Sequence, residues 1–480
     1  MRLKKILHGV DVVNIKNFKN YNISSITHIS QDAVKNGLFI CIKGNNFDGN
    51  KYVNDVVLAG VKCIVTEDVN LNSEICIVVV KDIRIAMSVI AKNFYNRCCD
   101  SLEIIGVVGT AGKTTTSILI SQLLSSIDNN IGVIGTNGVF IKGVRYDSKF
   151  TTPDPIDLHY VFFQMIMLGV KKVVMEVSAQ AIYYHKIYGI KFKYAVFTNI
   201  SREHLDFFGS YENYAKTKMN FFTNEFVENA IVNVDDFYGR ELAYKCSIPV
   251  VSYGIHQPAN SFAVNIDMGL EQTTFVANIL DDIVDVKTCF VGEFNVYNLL
   301  SSLTVAKLLG IEGIKLKKCV DNLKPIDGRY NVYNKGDKKF IIDFAHTPKS
   351  IENLLSHIRK NSTTKIISVF GCVGYSDKEK RKDFGQVVAR YSDYIIITTD
   401  NIGDAEFKDV AEDIICGIGD KKYMCIEDRK SAIDYAYSIM SSGDILVAIG
   451  KGAEDFQTIG KNRIPYSDKN SIMEIIDRKD

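Results

Sequence analysis

The sequence predicts an α/β protein of three domains, the central one a doubly wound, mostly parallel sheet around a phosphate loop. Three observations predict it. A short apolar run (Ile104, Ile105, Val107, Val108) leads into Gly109-Thr110-Ala111-Gly112-Lys113-Thr114-Thr115, and a helical pattern follows over Thr114 to Leu124. Apolar runs of strand length alternate with helical periodicity along the chain. The 480 residues, 46% of them hydrophobic, suffice for roughly three domains with a core in each.

The loop reads as a phosphate cradle. Gly109 and Gly112 let the backbone turn its N–H groups toward an anion, and the helix start adds the positive end of its dipole. Lys113 supplies a point charge and Thr114 a hydroxyl for magnesium, so ATP or GTP is the expected ligand. The strict Walker spacing would place a glycine at Val107, whereas the glycines here are Gly106 and Gly109. The competing reading is an ordinary strand-to-helix turn with a surface lysine.

Composition excludes several classes. Lys plus Arg (57) and Asp plus Glu (56) nearly cancel, and no basic run with interleaved aromatics marks a nucleic-acid groove. The 11 cysteines are scattered, without a Cys-x-x-Cys pair, so they read as reduced thiols rather than a disulfide framework or a zinc ribbon. No apolar stretch has signal-peptide or membrane-span length. A cytoplasmic monomer without a nucleic-acid partner or a membrane span is expected.

Residues 1–97 read as a small α/β domain, with strands at Leu38 to Ile42, Cys63 to Thr66 and Ile75 to Val80 and helices at Val53 to Ala59 and Ile85 to Tyr95. Its Lys43-Gly44-Asn45-Asn46-Phe47-Asp48-Gly49 turn is either a ligand loop, with Asn45 as a candidate contact, or a turn without function. Residues 98–328 carry strands at Glu103 to Val108, Lys172 to Val177, Tyr194 to Asn199 and Asn229 to Val234. Residues 329–480 repeat the pattern with Phe340 to Phe344, Lys365 to Phe370, Tyr394 to Thr399 and Asp444 to Ile449. Open α/β sheets bind ligands beyond the carboxyl ends of their strands. Glu176, Ser178, Thr198, Asn199, Arg202, Glu203, His204 and Asp206 fall there in the second domain. Asp343, His346, Gly371, Asp400, Asn401 and Gly450 to Glu454 fall there in the third.

Glu176 and His204 follow strands of the sheet that carries the loop, so both can reach the phosphates. Thr114 and Glu176 suit a hard cation, whereas a histidine is unusual there and can equally be satisfied by a local hydrogen bond. Tyr211 to Phe226 reads as an amphipathic helix with Tyr214, Lys218, Phe221 and Phe222 near one face, and on spacing alone Lys218 is a snorkelling surface lysine.

This set resembles the Mur ligase family, the ATP-dependent amide-forming enzymes of peptidoglycan synthesis, and most of all the MurE type that adds the third amino acid. The matching segments are Gly-Thr-Ala-Gly-Lys-Thr-Thr-Thr (109–116), Thr-Thr-Pro (151–153), Met-Glu-Val-Ser (175–178), Phe-Thr-Asn-Ile-Ser-Arg-Glu-His-Leu-Asp (197–206), Tyr-x-x-x-Lys (214–218) and Asn-Val-Tyr-Asn (295–298). Gly-Arg (328–329), Asp-Phe-Ala-His-Thr-Pro (343–348), Asp-Asn (400–401) and Gly-Lys-Gly-Ala-Glu-Asp (450–455) complete it, in family order over essentially the whole chain.

The resemblance implies a uridine-nucleotide domain (1–97), a central ATPase (98–328) and a C-terminal Rossmann-like domain for the incoming amino acid (329–480). Thr114, Glu176 and His204 would hold magnesium, with Lys218 carbamylated into an anionic oxygen ligand. Gly109 to Thr115, Asn295, Arg329 and Asp343 would contact ATP, with Lys113 also catalytic. Thr151, Thr152, Ser178 and Lys186 would face the nucleotide-sugar peptide, and His346, Arg381, Asp400, Asn401, Gly450 and Glu454 the amino acid. The implied reaction attaches an amino acid to a UDP-N-acetylmuramoyl-dipeptide through an acyl phosphate.

Four departures stand out. Ala111 replaces the family's usual asparagine. Ile29-Ser30-Gln31-Asp32-Ala33 replaces the Asp-Ser-Arg segment ahead of the Gly-x-Leu-Phe strand. Lys186 stands where arginine is common, trading a bidentate fork for a point charge. Family members that add diaminopimelate carry Asp-Asn-Pro-Arg, whereas here Asp400-Asn401 is followed by Ile402-Gly403. The lost arginine, with Asp400 and Glu454 as acids open to an ammonium, makes lysine or ornithine the expected amino acid. Rival readings are a Mur-like ligase with a non-UDP acceptor, a folylpolyglutamate synthetase, and a regulatory subunit of an amidotransferase. The last two are opposed by the N-terminal domain and by the absence of a cysteine-rich insertion.

Overall fold

The structure is a computed structural model that describes residues 1–44, 47–374 and 378–478. The chain divides into two compact units, Met1–Ala259 and Asn260–Asp480.

The first unit begins with strands β1 (Val12–Lys16), β2 (Ser25–Thr27), β3 (Gly37–Ile40), β4 (Cys63–Thr66) and β5 (Cys76–Val80) in the order β1-β5-β4-β3-β2. Only β1 runs antiparallel to its neighbour. Strands β3 to β5 are buried throughout, which is why they read as unbroken apolar runs rather than alternating ones. The helix Ile83–Phe94 is capped by Asp82, whose carboxylate accepts from Arg84 N and Ile85 N, and it sends Ile83, Met87 and Ile90 into the core. Its polar side reaches the next sheet: Ser88 donates to His185 O (2.7 Å) and Lys92 to Gly189 O (2.6 Å).

That next sheet holds β6 (Glu103–Val108), β7 (Ile131–Gly135), β8 (Gly138–Ile141), β9 (Val144–Tyr146), β10 (Lys172–Glu176), β11 (Phe192–Phe197), β12 (Val227–Asn233) and β13 (Val250–Gly254). Their order is β13-β12-β11-β6-β10-β7-β8-β9, parallel from β13 to β7 and antiparallel through the two hairpins to β9. The first strand of this sheet therefore lies between β10 and β11, where the winding reverses and a crevice opens at the carboxyl ends. Val107 pairs with Glu176 and Val108 with Phe197, so Glu176 and Thr198 emerge on either side of the phosphate loop. The expected helix over 211–226 ends earlier, at Tyr211–Met219. Phe221 and Phe222 both enter the core, and the chain turns after Asn220 to let consecutive rings do so.

The second unit opens with an antiparallel meander, β14 (Ser261–Met268), β15 (Thr273–Ile279) and β16 (Asp282–Thr288), and the helix Glu293–Leu308. A six-stranded sheet follows, made of β17 (Asn331–Lys335), β18 (Lys338–Asp343), β19 (Ile366–Phe370), β20 (Tyr394–Ile397), β21 (Tyr423–Cys425) and β22 (Ile445–Ile449) in the order β17-β18-β22-β19-β20-β21. All neighbours are parallel except β17 with β18. Alternate residues serve two cores. Ile341, Ile366, Ile395 and Val447 meet the helices Pro348–Lys360, Lys378–Tyr391 and Phe407–Ile418, while Ile342, Ile367, Ile396 and Leu446 meet Arg429–Ser438 and Asp468–Asp477. The doubly wound expectation for both large sheets holds. A hairpin, β23 (Phe456–Ile459) and β24 (Asn462–Pro465), lies beyond β22.

Candidate active site

The loop after β6 is fixed by close packing. A Cβ on Gly109 would lie 1.8 Å from Thr198 Oγ1, and Gly112 takes φ +85°, so both positions require glycine. Asn199 clamps residue 111 through its main chain alone: Oδ1 accepts from Ala111 N (3.0 Å) and Nδ2 donates to Ala111 O (3.1 Å), with Thr198 Oγ1 donating to the same carbonyl (2.7 Å). The alanine found there leaves these bonds untouched. Thr110 N donates to Asn199 O at 2.8 Å. Lys113 begins the helix Lys113–Ser125, and its ammonium folds onto Gly109 O (2.8 Å) and Thr110 O (2.7 Å). Thr114 and Thr115, in the first turn, are buried.

Glu176 ends β10 with both carboxylate oxygens engaged. Thr114 Oγ1 donates to Oε2 (3.0 Å), Thr136 N to Oε1 (2.9 Å) and Thr136 Oγ1 to Oε2 (3.2 Å). Thr136 Oγ1 lies 3.1 Å from Thr151 Oγ1, while Thr152 Oγ1 donates to Glu176 O (2.8 Å) and accepts from Ser178 N (3.1 Å). Ser178 caps a short helix by accepting from Ala181 N. Lys186 is paired with Asp154 at 2.8 Å and lies 4.5 Å over the Phe150 ring.

Lys218 is 1% exposed, so it is not a snorkelling lysine. Its ammonium donates to Tyr214 OH and to Thr110 Oγ1 (3.3 Å), 4.1 Å from the Tyr214 ring centroid. Burial first, then the charge of Lys113, holds it well below the usual lysine range. The Tyr214 hydroxyl, pushed up by burial and by Glu203, also meets Thr110 Oγ1 (3.1 Å) and Glu203 Oε2 (3.5 Å). His204, at φ +54°, has Nε2 3.8 Å from Glu203 Oε2. Gly109, Lys113, Ser178, His204, Tyr214 and Lys218 share a cleft of about 40 Å³, room for one small ion or water.

Two adjoining sets thus flank Lys113, with Thr114, Glu176 and Thr136 in one and Lys218, Tyr214, Thr110, Glu203 and His204 in the other. Among the described residues no three His, Cys, Asp or Glu side chains gather as a metal cage would. Magnesium does not need one: it keeps several waters and takes one or two protein oxygens plus substrate phosphates, and Thr114 with Glu176 offers that donor set. Thr136 escaped the sequence reading, since a threonine in a hairpin turn carries no motif.

In the second unit Asn295 is buried, donating to Val291 O (2.9 Å) and accepting from Asn298 Nδ2 (3.0 Å). Asp343, at the end of β18, accepts from Tyr330 N (2.8 Å) and Ala345 N (2.7 Å). Burial raises its carboxyl pKa against the opposing pull of Arg329. Arg329 stacks 4.4 Å over Phe344, and His346 Nδ1 lies 2.9 Å from Phe344 O. Arg381 is 6% exposed, donating to Asp413 (2.8 Å) and Gly374 O (2.6 Å), with its Nε unpartnered among the described residues. Asn45 lies outside the described residues.

The cluster past β20 and β22 differs from the expectation in one respect. Asp400 and Glu454 already share an ammonium of the protein itself. Lys451, fully buried, places its own ammonium 2.9 Å from Glu454 Oε2, 3.4 Å from Asp400 Oδ1 and 3.3 Å from Asn401 Oδ1. Asn401 Nδ2 also donates to Glu454 Oε2 (2.9 Å). Gly450, at φ +110°, backs onto Asp400: a Cβ there would stand 3.0 Å from Oδ2. One lysine charge of the protein's own thus offsets one of the two carboxylates on which the preference for a cationic side chain rested.

The Mur ligase middle domain matches residues 107–306, and the Mur ligase, glutamate ligase domain matches residues 328–452. A UDP-N-acetylmuramoyl-L-alanyl-D-glutamate--2,6-diaminopimelate ligase of Clostridium acetobutylicum is 34% identical over 480 residues, 99% of either chain. The chain belongs to the Mur ligase family. A ligase of the same description from Caldanaerobacter subterraneus subsp. tengcongensis is 35% identical over 99% of either chain. A solved structure of such a ligase superposes with a TM-score of 0.70 at 25% identity, covering 99% of either chain. This Mur ligase is therefore an ATP-dependent, ADP-forming enzyme of the MurE type. Among the described residues no helix is long and apolar enough to cross a membrane.

Proposed function

We propose that this Mur ligase joins diaminopimelate to the free carboxylate of UDP-N-acetylmuramoyl-L-alanyl-D-glutamate in peptidoglycan precursor synthesis. The observation that carries this reading is the similarity, over the whole chain, to ligases named for those two substrates. On this reading residues 1–97 hold the uridine nucleotide, 98–328 the ATP and 329–480 the amino acid, and the reduced state of the cysteines suits a cytoplasmic enzyme.

The mechanism follows from the side chains. Lys113 leaves the loop carbonyls for the γ-phosphate and stabilises the charge that builds as the dipeptide carboxylate attacks phosphorus and ADP departs. Thr151, Thr152, Ser178 and Lys186 orient that carboxylate. The amino-acid amine then attacks the acyl carbon, phosphate leaves, and the amine loses its proton. Thr114 and Glu176, with His204 and a modified Lys218, would hold magnesium, which when bound neutralises phosphate oxygens. Lys218 suits the modification, because burial disfavours its charged form and it is the neutral amine that attacks carbon dioxide, forming an N–C bond and releasing one proton. The anion produced in this pocket would offset the charge of Lys113.

The test is ADP release with UDP-N-acetylmuramoyl-L-alanyl-D-glutamate and a panel of amino acids. Release that depends on both the acceptor and meso-diaminopimelate is expected. Release that proceeds without the uridine diphosphate group on the acceptor, or only with another amino acid, overturns the reading.

A further inference from the structure

Diaminopimelate brings a second carboxylate to the C-terminal site, and a guanidinium that meets it distinguishes it from a diamino acid without one. The cations near Asp400 are mostly committed. Lys451 is spent on Asp400 and Glu454, and Arg381 is paired with Asp413. Gly403, at φ +58°, has no side chain to offer and faces open space, with nothing within 4 Å of a Cβ built on it.

The hairpin β23–β24 borders that space. Gly403 N donates to Thr458 O (3.0 Å) and Gly460 N to Gly403 O (2.7 Å), which fixes the hairpin to the 400–403 turn. Across the hairpin Thr458 is paired with Arg463, which puts Arg463 on the same strand face as Phe456 and Thr458. Its guanidinium stacks 4.4 Å over the Phe456 ring, and the Lys451 ammonium lies 5.8 Å from the same ring. The two cations are thus at most about 10 Å apart. The stack on Phe456 is the sole interaction of Arg463 among the described residues, and it leaves every N–H of the guanidinium available.

We propose that Arg463 is the specificity residue that receives the distal carboxylate of the incoming diamino acid, taking the part that a side chain at position 403 cannot. The two carboxyl carbons of diaminopimelate are separated by six carbon–carbon bonds of about 1.5 Å, or about 7.5 Å when extended. That span is of the same order as the upper limit of about 10 Å between Lys451 and Arg463, so a substrate whose α-amino acid end lies at Asn401 and Glu454 can extend its distal carboxylate toward the guanidinium. The planar fork binds a carboxylate in bidentate fashion, and its stack on Phe456 pre-orders it for that contact. The inference rests on the diaminopimelate reading above.

Lysine is diaminopimelate without the distal carboxylate, so comparing the two isolates this contact. With full-length enzyme, ATP, magnesium and the UDP-dipeptide, Arg463→Ala should raise KM for meso-diaminopimelate at least tenfold. KM for ATP and for the acceptor, and the low activity with L-lysine, should stay within twofold. Arg463→Lys should recover part of the loss, and Gly403→Arg in the Arg463→Ala background should recover most of it. Wild-type enzyme that uses meso-diaminopimelate, with an Arg463→Ala variant unchanged in KM, overturns the role of Arg463 and leaves the reaction assignment standing. Wild-type enzyme that prefers L-lysine by more than tenfold overturns the assignment itself, and this proposal with it.

Discussion

The carboxylate of Glu176 occupies the space that a Cβ on Gly135 would need: that atom would lie 2.2 Å from Oε1. The glycine ending β7 is what lets the carboxylate reach Thr136 N and Thr114 Oγ1 together. Gly135→Ala should push the carboxylate off both partners at an overpacking cost of about 1–3 kcal/mol. The expected result is a folded enzyme with ligation down at least tenfold and a raised magnesium requirement. Steady-state rates across a magnesium titration check it, and an unchanged titration midpoint would remove Glu176 from the metal site.

Lys218 couples function to stability. Its folded-state pKa is depressed below the unfolded value of about 10.4, so between the two the unfolded chain binds the extra proton and stability rises with pH. In carbon-dioxide-free buffer, urea melts should show stability climbing as pH rises toward 10. Lys218→Met should flatten that slope and stabilise the protein at pH 7 by about 1 kcal/mol or more, because no charge then resists burial. The same variant should lose ligation, and Lys218→Ala should regain part of it with short-chain carboxylates that restore an anion. Wild-type turnover in either variant without added anion would contradict the role given to Lys218.

Lys113 closes the loop on itself through Gly109 O and Thr110 O, a geometry that has to open for phosphate. Lys113→Ala should lower kcat by about two to three orders of magnitude, as loss of a transition-state cation does. A rise in KM for ATP at unchanged kcat would mean that the lysine binds nucleotide without stabilising the reaction.

The parallel strands and their ligand-bearing ends were legible because buried strands read as apolar runs and the polar residues follow them directly, as Glu176 follows Val173 to Met175. The meander β14–β16 was not legible. Val264 and Ile283 are apolar at exposed positions, and β14 shifts register between Val264 and Asp267, so the alternation is blurred in the sequence. The short hairpins β7–β8 and β23–β24 were missed as well, and with them Thr136 and Arg463. Lys451 was in plain view within the Gly-Lys-Gly segment, but its distant partner Asp400 meets it only because β20 and β22, with β19 between them, end at the same edge of the sheet. Spacing along the chain contains no such fact.

The arrangement of those two strand ends depends on a buried ion pair. Arg429 and Asp468 are fully buried, with Nε to Oδ1 and Nη2 to Oδ2 both at 2.8 Å. The same guanidinium donates to Ile449 O (3.0 Å) and Thr399 O (3.4 Å), the carbonyls just before Gly450 and Asp400. Arg429→Met leaves Asp468 buried and unpaired, and should cost about 3–5 kcal/mol. Arg429→Met with Asp468→Leu removes both charges and should recover most of that stability. In the double variant the Ile449 carbonyl loses its Arg429 donor and Thr399 O is left with Gln457 Nε2 (3.2 Å), so KM for the amino acid should stay at least fivefold raised while KM for ATP returns to normal. Full recovery of both constants would reduce the pair to a structural filler. A lasting amino-acid defect in a stable protein would show that Arg429 holds Asp400 and Gly450 in register for the incoming substrate.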